Sequence, residues 1–87
     1  MHAIELSAAA RRALRQGLPP GVAAAVVEVL TGPIARNPHA AGGALGGPFR
    51  GCRSARRGDY RIVYAVDDER RVVRVLRIRH RRDAYRV

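Results

Sequence analysis

The sequence predicts one α+β domain over residues 1–87, with element order β-α-α-β-β-β. A small, antiparallel-dominated sheet is expected, with an αα-hairpin packed on one face. Three observations predict this. Residues 8–16 are rich in helix-favouring Ala, Leu and Arg, and residues 22–30 repeat apolar side chains at helical spacing. The breaker "GLPPG" at 17–21 separates them. The stretches "DYRIVYAVD" at 59–67 and "RVVRVLRIR" at 71–79 are rich in β-branched residues and flank the turn "DER".

The elements follow in order. "HAIEL" at 2–6 reads as a short strand with Ile4 inward and Ala3 and Leu6 at its ends. Ser7 suits an N-cap, where its hydroxyl accepts from an amide in the next turn. The second proline of "GLPPG" opens the second helix, because its missing N–H is not needed there. Val22, Val26, Val29 and Leu30 form that helix's apolar stripe, with Ala23 and Val27 alongside. Pro33 predicts a kink near residue 32 and a final turn to about Arg36. "NPHAAGGALGGP" at 37–48 reads as loop, anchored by Leu45. "FRGCRSAR" at 49–56 reads as a strand with Gly51 as a bulge.

Charge narrows the partners. The net charge is +10, and all 17 basic residues are arginine. GC-rich codon usage accounts for Arg in place of Lys, but not for the excess of base over acid. A field this positive attracts polyanions, so nucleic acid is the first expectation and an acidic protein the second. No segment pairs a strong apolar face with a basic one, and no run approaches a membrane span. A single cysteine, Cys52, excludes an internal disulfide and a cysteine-based zinc site, and reads as a small buried apolar residue. "MHAIELSAAARR" has no uninterrupted apolar core of a signal peptide, so a cytoplasmic protein is expected.

Strand alternation sorts the arginines. Tyr60, Ile62, Tyr64 and Val66 share one face of their strand, and Arg61, Val63 and Ala65 the other. In the next strand, strict alternation puts Val72, Arg74, Leu76 and Ile78 on one face and Val73, Val75, Arg77 and Arg79 on the other. Helices are expected over Tyr60, Ile62, Tyr64, Leu76 and Ile78. The open face then carries Arg61, Arg77 and Arg79, with Arg81 joining if the strand runs on. Such charges can serve solubility and edge protection. Converging on one face without acid to neutralise them, they suit an anionic ligand, since guanidinium forks match phosphate.

These residues carry a resemblance. "LGGPFRGCRSARRGDYRIVYAVDD" followed by "IRHRRDAYR" resembles the RelE/ParE superfamily of bacterial toxins, and within it the RelE-type mRNA interferases. The matching positions are Leu45 and Gly47, Arg56, Gly58 to Arg61, and His80 to Tyr85, with "LP" at 18–19 and "NP" at 37–38 in keeping. The resemblance implies a type II toxin that cuts mRNA in the ribosomal A site. A ribose 2′-OH attacks the adjacent phosphate, without metal or other cofactor. It also implies a cognate acidic, RelB-like antitoxin that wraps the toxin in a hetero-oligomer. Arg61 and Arg81 match the family's phosphate-binding arginines. Tyr85 matches a C-terminal tyrosine that stacks on or orients a base, or relays a proton. Arg53 and Arg56 fall where relatives carry basic residues on the second strand; Arg50, Arg57, Arg77 and Arg79 extend the RNA-binding set.

The chain departs from relatives that use lysines, or a glutamate and a histidine, for proton transfer. Arginine stays charged and is a poor base. His80 titrates nearest neutrality and is the candidate proton carrier, against the plain reading of a histidine ending a strand. Asp59 and Asp83 are expected to pair with arginines, His39 to be solvated, and Tyr60 and Tyr64 to be core. The histidines at 2, 39 and 80 suggest no metal site by their spacing. Two other readings stand beside the nuclease: a ParE-type gyrase poison on the same fold, and a degenerate module that only binds RNA or antitoxin.

Overall fold

The sheet starts at the N-terminus, where β1 (Ala3–Leu6) pairs in parallel with the last strand. The structure, a computed structural model, describes residues 1–86. Ser7 caps α1 (Ala8–Arg12) as expected, its Oγ accepting from the Ala10 amide at 3.0 Å. A wider turn, Ala13–Gly17, ends that helix before the prolines. Pro20 opens α2 (Pro20–Val29), and the helix loosens over Leu30–Ile34, where Pro33 sits, before a final turn to Arg36. The last turn thus ends where expected, and in place of a sharp kink the helix widens around Pro33.

Residues 37–48 differ from the expected loop. Pro38–Ala41 form one helical turn, α3, and Gly43–Ala44 a two-residue edge strand, β2. The strand expected from Phe49 begins later, as β3 (Arg53–Arg57), because Gly47–Phe49 wind into a 3₁₀ turn. Gly51, at φ +90, turns the chain into β3 and is no bulge within it. β4 (Tyr60–Asp67) and β5 (Val72–His80) complete a five-stranded sheet of order β1-β5-β4-β3-β2, antiparallel apart from β1. Gly58, at φ +59, makes the two-residue turn between β3 and β4, which needs a positive φ to follow the strand twist.

The helices cover one face. Ala10, Val26, Leu30 and Ile34 pack with Ala55, Ile62, Tyr64, Val73, Val75 and Ile78. This corrects the strict alternation assumed for β5. Val63 pairs with Arg77 but Tyr64 pairs with Val75, so Leu76 is an extra residue, a β-bulge. Before it, Val73 and Val75 face the helices and Arg74 faces the open side; after it, Ile78 faces the helices and Arg77 and Arg79 the open side.

Ser7 ties α1 to that bulge. Its Oγ donates to the Leu76 carbonyl at 2.6 Å, and its amide donates to the Val75 carbonyl at 2.9 Å. Ser7→Ala removes the helix cap and leaves the Leu76 carbonyl without its donor. The expected cost is about 2 kcal/mol, read as a lower urea midpoint at unchanged slope.

His39 is not simply solvated. With His2 it meets the exposed Asp68 carboxylate, at 2.8 and 3.3 Å, joining α3, the N-terminus and the β4–β5 turn. Hydrogen bonds from His39, then His2, hold the Asp68 carboxyl below its ordinary value. A lowered folded value means the contribution is full above the ordinary carboxylate range and is lost as pH falls through the folded one. Asp68→Asn should lower the melting temperature slightly near neutrality, with the gap to the wild type closing below about pH 4, so that the acid limb of the profile flattens. No helix among the described residues is long and apolar enough to cross a membrane.

Candidate functional site

The open face of the sheet carries rows of side chains set by strand register. Arg56, Arg61 and Arg79 are directly opposed across β3, β4 and β5, so three guanidinium side chains start from one row. Strand spacing puts its ends about 10 Å apart. The adjoining row is Ser54, Val63 and Arg77. Farther on, Ala65 opposes Arg74, which Glu5 on β1 pairs at 3.6 Å. Among the described residues, Arg56, Arg61, Arg77 and Arg79 make no such ion pair. Unpaired like charges on one face raise each other's electrostatic free energy, and an anion relieves it.

Arg61 and Arg81 meet at the Gly58–Asp59 turn. Arg61 is half-buried, and its Nη1 donates weakly to the Gly58 and Tyr60 carbonyls at 3.3 and 3.4 Å. β5 stops at His80, so Arg81 lies one residue beyond the strand. Its amide donates to the Asp59 carbonyl at 2.7 Å and its Nε stands 4.0 Å from the Asp59 carboxylate. Asp59 pairs with an arginine as expected, and so does Asp83, 3.4 Å from Arg86.

The C-terminal residues return across the open face. The Tyr85 hydroxyl donates to Ser54 Oγ at 2.8 Å. Arg77 Nη1 donates to the Ala84 carbonyl at 3.3 Å, and Ala84 is fully buried. The Phe49 ring meets Tyr85 edge-on at 6.1 Å, and the Arg77 guanidinium lies 5.1 Å from the centre of the Phe49 ring. Burial, and then the like charge of Arg79, lower the Arg77 guanidinium from its ordinary value. Val63, between Ser54 and Arg77, is fully buried on a face that no helix covers, which places the returning segment over it. Tyr85 remains 43% exposed, so part of its ring is open to a ligand.

Three sequence candidates are not brought to this face. Arg53 alternates to the helix side, opposite Tyr64. Its guanidinium donates to the Gly42 and His39 carbonyls, each at 2.7 Å, and so caps α3. The charge next to Tyr64 partly offsets the burial that pushes that phenol up. His80 opposes Tyr60, also on the helix side, with its ring edge-on to the tyrosine at 5.5 Å. Its Nδ1 accepts from the Arg82 amide at 3.2 Å, and the ring lines a cleft of about 500 Å³ beside Leu18, Ile78 and Arg79. Arg57 shares the Tyr60–His80 row and lines a second cleft against Val22. Arg50 is exposed just before β3. Cys52 is half-buried rather than core.

Sequence reasoning missed Ser54 and Phe49 as members of the site. Ser54 had a legible signal, since it alternates with Arg56 along β3. Phe49 had none, because the 3₁₀ turn that carries it was read as strand.

Known proteins share this architecture. The chain matches the family model of the ParE toxin of type II toxin–antitoxin systems over residues 4–85. It is 45% identical over 84 residues to Toxin RelE of Mycobacterium tuberculosis, covering 97% of this chain and 86% of that one. Toxin RelG of the same organism is 44% identical over 85 residues, covering 98% and 97%. The RelBE2 toxin–antitoxin complex of Mycobacterium tuberculosis superposes with a TM-score of 0.85 at 42% identity, over 91% of this chain and 90% of that one. The isolated RelE toxin of E. coli shares the fold, with a TM-score of 0.76 at 24% identity over 92% and 84%. The helix-covered five-stranded sheet, its arginine-bearing open face and these relatives together establish that the chain belongs to the RelE/ParE superfamily and is the toxin of a type II toxin–antitoxin system.

Proposed function

We propose that this toxin is a ribosome-dependent mRNA endonuclease that cuts in the A site. The observation that carries the reading is the row of Arg56, Arg61 and Arg79 on an open sheet face, with Tyr85 anchored one row away. In this reading the 2′-oxygen of the substrate attacks the adjacent phosphorus, the P–O5′ bond breaks, and a 2′,3′-cyclic phosphate is left. The 2′-hydroxyl proton passes to water, and the departing 5′-oxygen takes a proton from water. Attack requires the two oxygens and phosphorus nearly in line, so rigid positioning supplies much of the rate. Charge accumulates on the phosphate oxygens, and cations already in place stabilise it without reorganising. Arg61 and Arg81, both at the Gly58–Asp59 turn, are assigned to the scissile phosphate. Arg56, Arg77 and Arg79 hold neighbouring backbone, and the exposed part of the Tyr85 ring takes a base. Dependence on the 2′-hydroxyl restricts the substrate to RNA.

We assign His80 no part in this mechanism, since its ring packs edge-on to Tyr60 on the helix side of the sheet. Arg53 has none either, since its donors serve α3. An acidic, RelB-like antitoxin is the proposed partner. A net charge of +10 supports it, as does the toxin–antitoxin assembly of the RelBE2 relative.

The test is induction of the wild type and of an Arg61→Ala/Arg81→Ala variant, followed by primer extension on cellular messages. Growth arrest with cuts inside translated codons, absent in the variant, is expected. Arrest with intact messages would overturn the nuclease and point to gyrase, which a supercoiling assay then measures. No arrest would leave a binding module.

A further inference from the structure

The contact between Tyr85 and Ser54 joins residues 31 apart in the chain, and nothing in the mechanism above requires it. We infer that Ser54 is a positioning residue: by accepting the Tyr85 hydroxyl, it sets where that ring stands relative to the arginine row. This role presupposes the nuclease reading of the face.

Register places Ser54 two residues from Arg56 on the same face, so the two rows lie about 7 Å apart. Nucleotide units are of similar length, so a base on Tyr85 and a phosphate on the arginine row belong to the same or neighbouring nucleotides. The other restraints act on the backbone or on one ring edge. Arg77 holds the Ala84 carbonyl, Ala84 is buried, and Phe49 meets one side of the ring. None of them fixes the far end of the phenol. The hydrogen bond to Ser54 does, and it leaves part of the ring exposed. Ser54 is rigid for this purpose, since it lies within β3 and pairs with Gly43 on one side and Val63 on the other.

Ser54→Ala and Tyr85→Phe remove the same hydrogen bond from its two ends, so a double-mutant cycle tests the role. Single-turnover cleavage of message on programmed ribosomes is measured for both variants and their combination, alongside Ser54→Thr. A positioning bond predicts that each single variant lowers the cleavage rate about three- to tenfold. The double variant should be no worse, message affinity should be unmoved, and Ser54→Thr should restore the rate. The Tyr85 ring-carbon resonance in tyrosine-labelled protein should shift in Ser54→Ala and return in Ser54→Thr. Full activity with an unshifted resonance in Ser54→Ala would overturn the role. So would a Tyr85→Phe loss far larger than that of Ser54→Ala and additive with it, since the hydroxyl would then act directly. If the wild type cuts no message, the nuclease reading fails and the catalytic role of Ser54 falls with it. The resonance then separates that outcome from loss of the contact itself.

Discussion

Arg61→Ala is expected to slow message cleavage by about 10²–10³-fold, the usual consequence of removing one preorganised donor from a transition state. Arg61 stands in the middle of the three-strand row, with Arg56 on one side and Arg79 on the other. Its neighbours attract the same phosphate but start from strands on either side, so neither reproduces its approach. Arg61→Lys should recover only part of the rate, because a point charge replaces a two-pronged donor. Adding Arg81→Ala should give less than the product of the single losses, since both residues bear on one phosphate. The fold should survive. The Arg61 guanidinium reaches only two carbonyls of the adjacent turn, at 3.3 and 3.4 Å, and takes part in no ion pair among the described residues. Cleavage rates together with melting temperatures separate the two effects. A wild-type rate in Arg61→Ala would remove the residue from the site.

The second large effect is on stability. Gly42→Ala should cost about 3 kcal/mol, lowering the melting temperature by on the order of 12–24 °C in a domain of this size. The backbone is not the reason, since Gly42 at φ −143 is in ordinary extended geometry. Space is the reason. A Cβ there would stand 2.6 Å from the Ser54 carbonyl oxygen and 2.6 Å from the Tyr64 hydroxyl. The Ser54 carbonyl belongs to the sheet. Tyr64 is fully buried and donates to the Pro38 carbonyl at 2.6 Å, so its ring has nowhere to go. Relief requires α3 or β2 to move off β3, which would also disturb the Arg53 bonds to the Gly42 carbonyl. Gly46→Ala is the control, because its Cβ would meet nothing within 4 Å and its φ of −115 suits any residue. Equal melting temperatures for the two variants would refute the crowding at Gly42.

Local chemistry made much of this legible. Pro33 located the irregular turn, Ser7 the helix start, and the β-branched and aromatic run at 60–66 the central strand, each through interactions within a few residues. Arg61 and Arg79 were placed on the open face by alternation alone. His80 follows Ile78 by two residues, so the same alternation already put it on the covered side. Other features depended on distant partners. Val72, Val73, Val75 and Leu76 are all apolar, so composition does not reveal where β5 changes phase. Arg53 satisfies carbonyls 11 and 14 residues earlier, and Tyr85 a hydroxyl 31 residues away, contacts no local pattern encodes.

The bulge at Leu76 separates two jobs within one strand. Before it, Val73 and Val75 are constrained to fill the space under the helices; after it, Arg77 and Arg79 present charge to a ligand while Ile78 still fills the core. Each half is therefore free to drift in evolution by its own rule. The junction itself is not free. Flattening the bulge, so that Leu76 takes the place opposite Val63, would be a frameshift in space: Arg77 and Arg79 would turn into the apolar layer, Ile78 would turn out of it, and Ala84 would lose the arginine that holds its carbonyl.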